Sequence, residues 1–444
     1  MSRGPNPAGP PEEAVVAALN HDGEGVIRGA KAAFVAGTLP GERVRFRRVR
    51  QHRQHDEGEL LEVIEASAAR TTPRCAHFGV CGGCSLQHLS PAGQLQSKQQ
   101  ELADTLERVG RVSPARWLEP LAGPVWNYRR RARLGAKFVA KRGRVLVGFR
   151  ERAKPYIAAL ERCEILAPPL DGLIAPLSEL LSGLEARTSI PQIEVAVADN
   201  LTVLVLRNLF ELCAADRAAL AAFSARHGLR IDLQPAGLES IRPLDASSET
   251  ARVALEYRLP AEGLRYEFQA TDFVQINGAV NQALIARTIA LLELQPNHRV
   301  LDLFCGLGNF TLPIARRVGM AVGIEGEAGL VARARHNATL NDLTNAHFYV
   351  VDLAQADGGV AALAGRFDRV LLDPPRAGAR EVLPRLAALG AQRMVYVSCH
   401  PGTLARDLGV LCHEHGYELV AAGVIDMFPH TNHVESIAVL EASR

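Results

Sequence analysis

Residues 300–311 read VLDLFCGLGNFT, an apolar strand that runs into a glycine-rich turn and then into a helix predicted over residues 310–318. Glycines allow a ligand to approach the backbone where the first amides of a helix face outward. Residues 321–325, AVGIE, predict a second strand that ends in Glu325, whose carboxylate can accept hydrogen bonds from both ribose hydroxyls of a nucleoside cofactor. This stretch therefore predicts an α/β domain with a nucleoside cofactor at its strand ends.

The spacing around this turn favours one class of cofactor. A glycine-rich turn alone also fits dinucleotides. Asp302 completes the pattern D-x-x-x-G-x-G, which is more typical of S-adenosylmethionine enzymes than of dehydrogenases, although Asp302 could also serve only to support the turn. Residues 370–376, VLLDPPR, end a further predicted strand with Asp373 in the same crevice. From residue 269 onward predicted strands and helices alternate, which indicates βαβ units and a largely parallel sheet.

Cys399 is the candidate nucleophile, because it follows the apolar run at 394–397 that predicts a buried strand. Glu435 opens a second apolar run 36 residues later. A thiol at the mouth of a strand, with a carboxylate able to reach the same space, suits covalent catalysis followed by proton removal. A buried structural cysteine and a surface glutamate explain these two residues equally well when they are taken alone.

The composition is that of a globular chain. Its 444 residues, 48% of them hydrophobic, are enough for two or three domains. No apolar run reaches the length of a membrane span, and residues 1–11 lack the charged and then apolar form of a secretion signal. We therefore expect a cytoplasmic protein that does not bind a membrane.

Positive charge is concentrated in two places, although the net charge is only +2. Residues 108–154 hold 14 lysines and arginines but two carboxylates, and the cluster RRRAR at 129–133 lies beside Trp126 and Tyr128. A second strip carries arginines at positions 43, 45, 47, 48, 50 and 53, the first three alternating with apolar residues as on one face of a strand. Such runs can be solvated faces, but two separate patches favour binding of RNA or DNA phosphates.

The eight cysteines divide into two groups. Cys75, Cys81 and Cys84 form the pattern C-x5-C-x2-C with glycines between the thiols, and Cys163 is the nearest later candidate for a fourth ligand. Four thiolates can hold zinc or an iron–sulfur cluster, and the spacing alone does not choose between them. Cys213 and Cys412 lie in apolar stretches predicted as helices and are interpreted as core residues.

Turn signals and periodicity predict three domains. Short alternating segments over residues 12–70 predict a small β-barrel of the oligonucleotide-binding kind. A helix is predicted over 91–109, with Ser90 as its N-cap and Gly110 as its stop. A mixed α/β region extends to residue 265, and the cofactor-binding domain covers 266–444.

Together these motifs resemble the RNA uracil-C5 methyltransferases, and most closely the bacterial 23S rRNA type. The resemblance spans nearly the whole chain and rests on GTLPGE at 37–42, the cysteine pattern, DFVQIN at 272–277, the turn at 302–309, DPPR at 373–376, SC at 398–399 and FPHTNHVE at 428–435. It implies an N-terminal OB-like TRAM β-barrel, a central α/β iron–sulfur domain and a C-terminal Rossmann-like methyltransferase domain.

The resemblance also implies roles for individual residues. Cys399 would be the nucleophile that attacks uracil C6, Glu435 the base that removes the C5 proton, and Phe273 an aid in holding the flipped base. The donor S-adenosyl-L-methionine would be contacted by Gln275, Phe304, Asn309, Glu325, Asp352 and Asp373. A 4Fe-4S cluster would be ligated by Cys75, Cys81, Cys84 and Cys163.

Two positions depart from the family pattern. His400 replaces the asparagine usual after the nucleophile, and Asp352 stands where some members have asparagine. Both substitutes are polar, so the assigned roles are unchanged. We also expect a basic, RNA-lined site to lower the pKa of Cys399 and favour its thiolate.

The expected protein is a monomer that methylates one uridine of 23S rRNA in a single-stranded or remodelled loop. Methylation of tRNA is an alternative, although the tRNA enzymes commonly lack the barrel and the cluster. A cytosine-C5 enzyme is disfavoured because its proline motif usually carries a second catalytic cysteine, whereas this motif reads DPPR. A non-enzymatic alternative is an iron–sulfur protein that binds RNA or senses redox state with an inactive methyltransferase fold.

Overall fold

The computed structural model of the protein describes residues 9–152, 154–353 and 365–443, which divide into two compact units. The smaller unit comprises the described parts of Met1–Glu101, Phe149–Ala158 and Phe428–His433. The larger unit comprises the described parts of Leu102–Gly148, Ala159–Met427 and Val434–Arg444.

Six strands of the smaller unit form one sheet: β1 (Glu12–Val15), β2 (Ala18–Leu19), β3 (Gly25–Ile27), β4 (Ala32–Val35), β5 (Arg43–Gln51) and β6 (His55–Glu65). Their order is β1-β5-β6-β4-β3-β2, and β4 and β6 are the parallel pair in an otherwise antiparallel sheet. The strands alternate between buried and more exposed residues, as expected when one face covers a core. That core contains Val16, Ile27, Ala33, Val35, Val44 and Phe46.

The GTLPGE turn before β5 is organised by a buried carboxylate. Glu42 accepts hydrogen bonds from the Leu39 amide at 2.8 Å and the Ser67 amide at 3.2 Å, and it forms a bidentate pair with Arg70. Burial alone would raise the pKa of Glu42, but Arg70 and the two amides lower it overall. This part of the motif therefore has a structural role within the sheet.

The arginine strip on β5 is not a row of unpaired cations. The three alternating arginines do share one face, as predicted, but each one pairs with a carboxylate on that face: Arg43 with Glu65 at 2.8 Å, Arg45 with Glu13 at 2.8 Å and Glu62 at 2.6 Å, and Arg47 with Glu59 at 2.5 Å. These cations are therefore compensated within the sheet, and binding of RNA or DNA phosphates by this strip stays a prediction. The sequence shows the cations, but the cross-strand register decides which acids lie beside them.

Helix α1 (Pro91–Thr105) begins where the sequence predicts and continues as a π-helical turn over Leu106–Gly110. The predicted N-cap is confirmed, because the Ser90 hydroxyl accepts a hydrogen bond from the Gly93 amide at 3.2 Å. The short strand β7 (Arg116–Trp117) follows. Leu102, Leu106 and Val112 belong to the core of the C-terminal sheet described below.

The larger unit contains a second six-stranded sheet: β8 (Arg131–Val139), β9 (Arg144–Gly148), β10 (Gln192–Val197), β11 (Thr202–Arg207), β12 (Leu229–Gln234) and β13 (Arg242–Pro243). Their order is β13-β12-β11-β10-β8-β9, so β9 is an edge strand. Helices α2 (Ile174–Gly183) and α3 (Ala214–His227) accompany this sheet, together with short 3-10 turns at Ala140–Arg142, Leu170–Gly172, Leu238–Ser240 and Glu249–Arg252. The hairpin of β14 (Leu255–Leu259) and β15 (Leu264–Phe268), joined by a 3-10 turn at Pro260–Glu262, leads into the C-terminal region.

Cys213 does not lie inside a helix. Cys213 is the N-cap of α3, and its sulfur accepts a hydrogen bond from the Asp216 amide at 3.4 Å. The side chain is half-buried, so the prediction of a core helical cysteine is wrong for this residue. Cys412 is confirmed in a helix and packs, half-buried, against the C-terminal core.

The C-terminal sheet contains eight strands, β7 together with β16 (Arg299–Leu303), β17 (Met320–Glu325), β18 (Ala346–Val350), β19 (Arg369–Leu372), β20 (Arg393–Ser398), β21 (Tyr417–Ile425) and β22 (Glu435–Ala442). The order is β18-β17-β16-β19-β20-β22-β21-β7, and the first five of these strands run parallel. The intervening helices are α4 (Gly278–Leu292), α5 (Thr311–Ala315), α6 (Ala328–Leu340), α7 (Leu383–Ala388) and α8 (Pro401–Glu414). The predicted α/β alternation is confirmed.

The order of these strands locates the crevice. The chain moves outward from β16 to β18 and then returns to β19 on the other side of β16, which makes the β16–β19 boundary a topological switch point. Ligands of open α/β sheets bind outside the carboxyl ends of the strands at such a point. Among the described helices, none is both long and apolar enough to cross a membrane.

Candidate active site

The parallel register brings residues that are predicted to bind the methyl donor to one edge of the C-terminal sheet. Leu303, the last residue of β16, pairs with Ile324 of β17 and with Leu372 of β19. The residues that follow these three are Phe304, Glu325 and Asp373, so they lie side by side at the carboxyl edge. Asp352 follows β18, the next strand outward, and its side chain is exposed.

Glu325 ties the glycine-rich turn to the next strand. Its carboxylate accepts hydrogen bonds from the amides of Gly306 at 3.1 Å, Gly326 at 2.7 Å and Glu327 at 3.1 Å. Each carboxylate oxygen has more than one lone pair, so further donors can still bind. The geometry is therefore compatible with the predicted ribose contact.

The turn itself has left-handed backbone at three positions. Phe304 has a φ of 63°, and Gly306 and Gly308 have φ values of 55° and 91°. Glycine adopts such angles without cost, whereas the left-handed conformation of Phe304 costs about 1–3 kcal/mol and must be held by its surroundings. A methyl group at Gly308 would also come within 3.4 Å of the Phe348 ring. The turn is thus held close to the strand ends, as a ligand-binding turn requires.

Asp302 supports this turn from below, in agreement with the structural alternative for its role. The Thr311 hydroxyl at the start of α5 donates a hydrogen bond to its carboxyl at 2.5 Å. Burial, together with the nearby carboxyls of Asp373 and Glu325, raises the pKa of Asp302 to about 8, although the Thr311 hydrogen bonds oppose the shift. Its side chain is 1% exposed, so it does not contact a ligand directly.

Asn309 is held by two residues that the sequence reasoning missed. Its side-chain amide exchanges two hydrogen bonds with the amide of Asn281 on α4, both at 3.0 Å, and accepts a third from the Tyr257 hydroxyl at 3.1 Å. Gln275, which is predicted to contact the methyl donor, lines a cleft with Asn281 and Tyr257. It therefore lies beside the same network of hydrogen bonds. Only the fold joins these segments, so no local motif could have revealed the pairing.

Asp373 lies between the glycine-rich turn after β16, here called the donor turn, and the candidate nucleophile Cys399. The reason is that β19 separates β16 from β20. Its amide donates a hydrogen bond to the Leu303 carbonyl at 3.3 Å. Burial of the carboxyl raises the pKa of Asp373 to about 7. The charge of this carboxyl also raises the pKa of both Asp302 and Cys399, as expected for a group on the strand between them.

Cys399 and Glu435 meet at the same end of neighbouring antiparallel strands. Ser398, the last residue of β20, pairs with Ser436 of β22. Because these strands are antiparallel, Cys399, which follows Ser398, lies opposite Glu435, which precedes Ser436. Cys399 is half-buried, whereas Glu435 is only 4% exposed. The alternative of a surface glutamate is therefore excluded, and the two groups interact electrostatically.

The expected lowering of the Cys399 pKa is not observed. Burial raises the pKa of this thiol, the carboxyls of Glu435 and Asp373 raise it further, and the Arg376 guanidinium opposes them. For the protein alone the direction is opposite to the predicted one, because burial and two carboxyls together outweigh one guanidinium. A lowered pKa in a site lined with RNA stays a prediction. A bound cation would be needed to favour the thiolate further.

His400, which stands where the family usually has asparagine, caps the start of a helix. Its ring nitrogen Nδ1 accepts a hydrogen bond from the Thr403 amide at 3.2 Å, which makes His400 the N-cap of α8. The Ser398 hydroxyl in turn accepts a hydrogen bond from the His400 amide at 3.2 Å. These bonds fix the backbone on both sides of Cys399.

The cysteine segment belongs to the smaller unit. Cys75, Cys81 and Cys84 are half-buried, and the Gly83 amide donates a hydrogen bond to the Cys81 sulfur at 3.4 Å. Cys163 is buried in the larger unit. Within the described part of the chain, no group of three or more His, Cys, Asp or Glu residues has the arrangement of a metal site.

The predicted RNA-binding cluster at 129–133 is largely occupied by contacts within the larger unit. Arg130 pairs with Asp199 at 2.5 Å, and Arg133 pairs with Glu194 at 2.8 Å. Tyr128 is 5% exposed, so little of its ring is available for stacking on a base. Phe273, by contrast, is 67% exposed and precedes α4 and the donor cleft.

Comparisons with known proteins show the family of this chain. The family model described as tRNA (Uracil-5-)-methyltransferase matches residues 247–443. A curated "23S rRNA (uracil(1939)-C(5))-methyltransferase RlmD" of Xanthomonas axonopodis pv. citri is 48% identical over 97% of both chains, and the one of Alkalilimnicola ehrlichii is 49% identical over 97% of this chain and 96% of its own.

Among solved structures, the Pyrococcus abyssi tRNA (uracil-54, C5)-methyltransferase in complex with S-adenosyl-L-homocysteine matches with a TM-score of 0.70 and 22% identity. The match covers 97% of this chain and 100% of that one, and at this identity it supports the fold. The curated relatives share the sequence over nearly its full length. The chain therefore belongs to the family of 23S rRNA (uracil-C5)-methyltransferases.

Proposed function

We propose that this protein transfers a methyl group from S-adenosyl-L-methionine to C5 of a uridine in 23S rRNA. The observation that carries this proposal is that Cys399 and Glu435 lie at adjacent strand ends, with one strand, β19, between them and the strand that leads into the glycine-rich turn. Family membership supports the same activity. The modified nucleotide is proposed to be the one numbered 1939 in the names of the relatives.

The donor would occupy the crevice at the switch point. Glu325 would bind the ribose hydroxyls, Asn309 and Gln275 would contact the donor beside the Asn281 network, and Phe304, Asp352 and Asp373 would complete its surroundings. When bound, the donor supplies a methyl group on a cationic sulfonium. The carboxyls at this edge favour a cation electrostatically.

The reaction proposed for the uridine begins at Cys399. The thiol loses its proton, and the thiolate adds to C6, which converts the C4–C5 region into an enolate with a nucleophilic C5. After C5 has accepted the methyl group, the Glu435 carboxylate removes the remaining C5 proton, and the electrons of that bond restore the C5–C6 double bond as the sulfur leaves. The base must leave its stack to reach the crevice, and the exposed ring of Phe273 would stack on it.

We also propose a 4Fe-4S cluster bound by Cys75, Cys81, Cys84 and Cys163. The three half-buried thiols with an amide aimed at the Cys81 sulfur are suited to thiolate ligation, since such hydrogen bonds stabilise cluster sulfurs. No step of methyl transfer is assigned to the cluster. Iron and inorganic sulfide in equal amounts in protein purified without air would support it, whereas zinc without sulfide would replace it.

We propose that the chain has three domains with the boundaries predicted from its sequence. Residues 12–70 would form a TRAM β-barrel that binds RNA, residues 71–265 the iron–sulfur domain and residues 266–444 the methyltransferase domain. Three of the four sheets in the described chain, the two with six strands and the one with eight, support this division, although the short strand β7 joins the C-terminal sheet. We propose that the protein acts as a monomer in the cytoplasm on a single-stranded or remodelled RNA loop.

The activity is tested by supplying purified protein, labelled methyl donor and RNA from a strain that lacks this protein. Label in 23S rRNA, recovered after digestion as 5-methyluridine and mapped to a single nucleotide, is the expected result. Transcribed tRNA serves as the competing substrate because the matched structure acts on tRNA. Label in tRNA alone, or in neither RNA, would overturn the proposal.

A further inference from the structure

We propose that the hairpin β8–β9 is a phosphate-binding surface that holds the substrate RNA at a site separate from the reacting uridine. Its cations are Lys137, Lys141, Arg142 and Arg144, which we call the basic hairpin. This inference rests on the proposed function, since it assigns an RNA contact to the same enzyme. The basic hairpin is part of the central sheet, whereas Cys399 follows a strand of the C-terminal sheet.

All four cations of the basic hairpin are exposed. Within the described part of the chain, none of them forms an ion pair with a carboxylate. Two arginines earlier on the same strand behave differently, because Arg131 and Arg133 share Glu194 at 3.7 Å and 2.8 Å. Charge on β8 is thus compensated near its start and uncompensated near its end.

The register groups these charges at the tip of the hairpin. Val139 pairs with Arg144, and Lys137 lies two residues before Val139, so Lys137 and Arg144 share one face of the sheet. Lys141 and Arg142 lie in the 3-10 turn that joins the strands. The turn closes through Gly143, whose φ of 62° suits glycine.

The surroundings favour an anionic partner. No aspartate or glutamate occurs in the sequence from residue 120 to residue 150, so the hairpin carries no acid of its own. β9 is the edge strand of its sheet, and its edge at Val145 is covered by Ser178 and Ser182 of α2, so it is the four side chains of the basic hairpin that face solvent. A cation that is already paired must exchange a carboxylate for a phosphate, whereas these four can release counterions from RNA without that loss.

RNA is the polyanion that this enzyme must bind, and its regular phosphates match a row of cations without requiring base contacts. The basic hairpin would therefore contribute affinity and register rather than chemistry. Its loss should raise the KM for RNA and leave kcat at saturating RNA unchanged. Donor affinity should also be unchanged.

The test replaces the four cations together, Lys137→Gln, Lys141→Gln, Arg142→Gln and Arg144→Gln, in the full chain. Binding to a fluorescent fragment of 23S rRNA that is methylated by the unmodified protein is measured by anisotropy from low to moderate salt. Each phosphate contact contributes about 0.7 to the slope of log K against log salt for single-stranded RNA, so the slope should become shallower by up to roughly 3 and affinity should fall about 10- to 100-fold.

A matched control uses one cation from the same unit. Arg226, in the last turn of α3, is also exposed and forms no ion pair in the described chain. Arg142→Gln should lower the salt slope and raise the KM for RNA, whereas Arg226→Gln should change neither. The single variants keep the comparison valid if the fourfold variant fails to fold.

Unchanged RNA affinity and salt slope in a folded fourfold variant, or equal effects of Arg142→Gln and Arg226→Gln, would overturn the inference. Failure of the unmodified protein to methylate 23S rRNA would instead contradict the proposed function. The two failures are therefore distinguishable in one set of measurements.

Discussion

Two thiols at the carboxyl edge of the same sheet have opposite surroundings. Cys305 follows β16 and is 5% exposed, and its thiol donates to the neighbouring Gly306 carbonyl at 3.7 Å. Cys399 follows β20, is half-buried and lies beside the Glu435 carboxylate. Burial raises the pKa of the Cys305 thiol well above its ordinary value, so it serves the donor half of the crevice by packing. The position of a thiol at a strand end is therefore insufficient for catalysis; access and a proton acceptor are also required.

The largest effect is expected from Cys399→Ala, with Cys305→Ala as the matched control. Loss of the nucleophile should lower methyl transfer by about 10⁴-fold or more, because Cys399 supplies the thiolate that is proposed to add to uracil C6. Donor affinity, measured by calorimetry, should be unchanged because the donor half is intact. Cys305→Ala should retain transfer within about tenfold; equal losses in the two variants would contradict the assigned difference.

Glu435→Gln should cause the next largest loss and a different product. The C5 proton would remain after methylation, so turnover should fall by about 10²- to 10⁴-fold and a covalent protein–RNA adduct should accumulate. The adduct is detected as a band of reduced mobility in a denaturing gel and should be absent when Cys399 is also alanine. Normal turnover by Glu435→Gln would remove this residue as the base.

Asn281→Ala should affect the donor half alone. It removes two hydrogen bonds to Asn309 and leaves that amide partly unsatisfied, so the KM for the donor should rise roughly tenfold, or about 1.4 kcal/mol. Tyr257→Phe removes one hydrogen bond and should have a smaller effect in the same direction. The KM for RNA should be unchanged; a rise in that value would show that the network positions the acceptor half instead.

Donor binding should weaken as the pH falls through about 7. Burial raises the pKa of Asp373 to about 7, so its carboxylate is present above this pH and is neutralised below it. A cationic donor is favoured by the charged form, and the dissociation constant should therefore increase severalfold between pH 8 and about pH 6. Asp373→Asn should remove this dependence in the same titration; an equally steep profile would assign it to another group.

The smallest effect is a shift in thiol reactivity with pH. The thiolate is the reactive form, so alkylation of Cys399 by iodoacetamide should accelerate as the pH rises through the pKa of the thiol. Arg376→Gln removes a charge that lowers this pKa and should move the profile to higher pH, whereas Glu435→Gln should move it to lower pH. Peptide mass spectrometry should show Cys305 unmodified in each variant, since it is buried.

The motifs predicted the strand, turn and helix of the proposed donor half because these elements are local. The strand, turn and helix at 299–315 are adjacent in sequence, so their arrangement follows from the periodicity and the glycines. The Asn281–Asn309 pair could not be predicted in this way, since its members lie on α4 and on the turn after β16. Charge was the weakest guide, because the arginines on β5 and β8 were counted without the acids that the sheets bring beside them.

The amino-acid sequence alone predicts the α/β alternation and the glycine-rich turn, and it is enough to propose Cys399 and Glu435 as the residues of the chemistry. The alternation and the turn depend on local periodicity, and the choice of the two residues depends on side chains suited to covalent catalysis and proton removal. Only the tertiary structure decided that the Cys399 thiol has a raised pKa, that Cys305 is buried, and which cations are unpaired. The physical reason is that burial and electrostatic pairing depend on strand register and long-range packing, which join residues far apart in the chain.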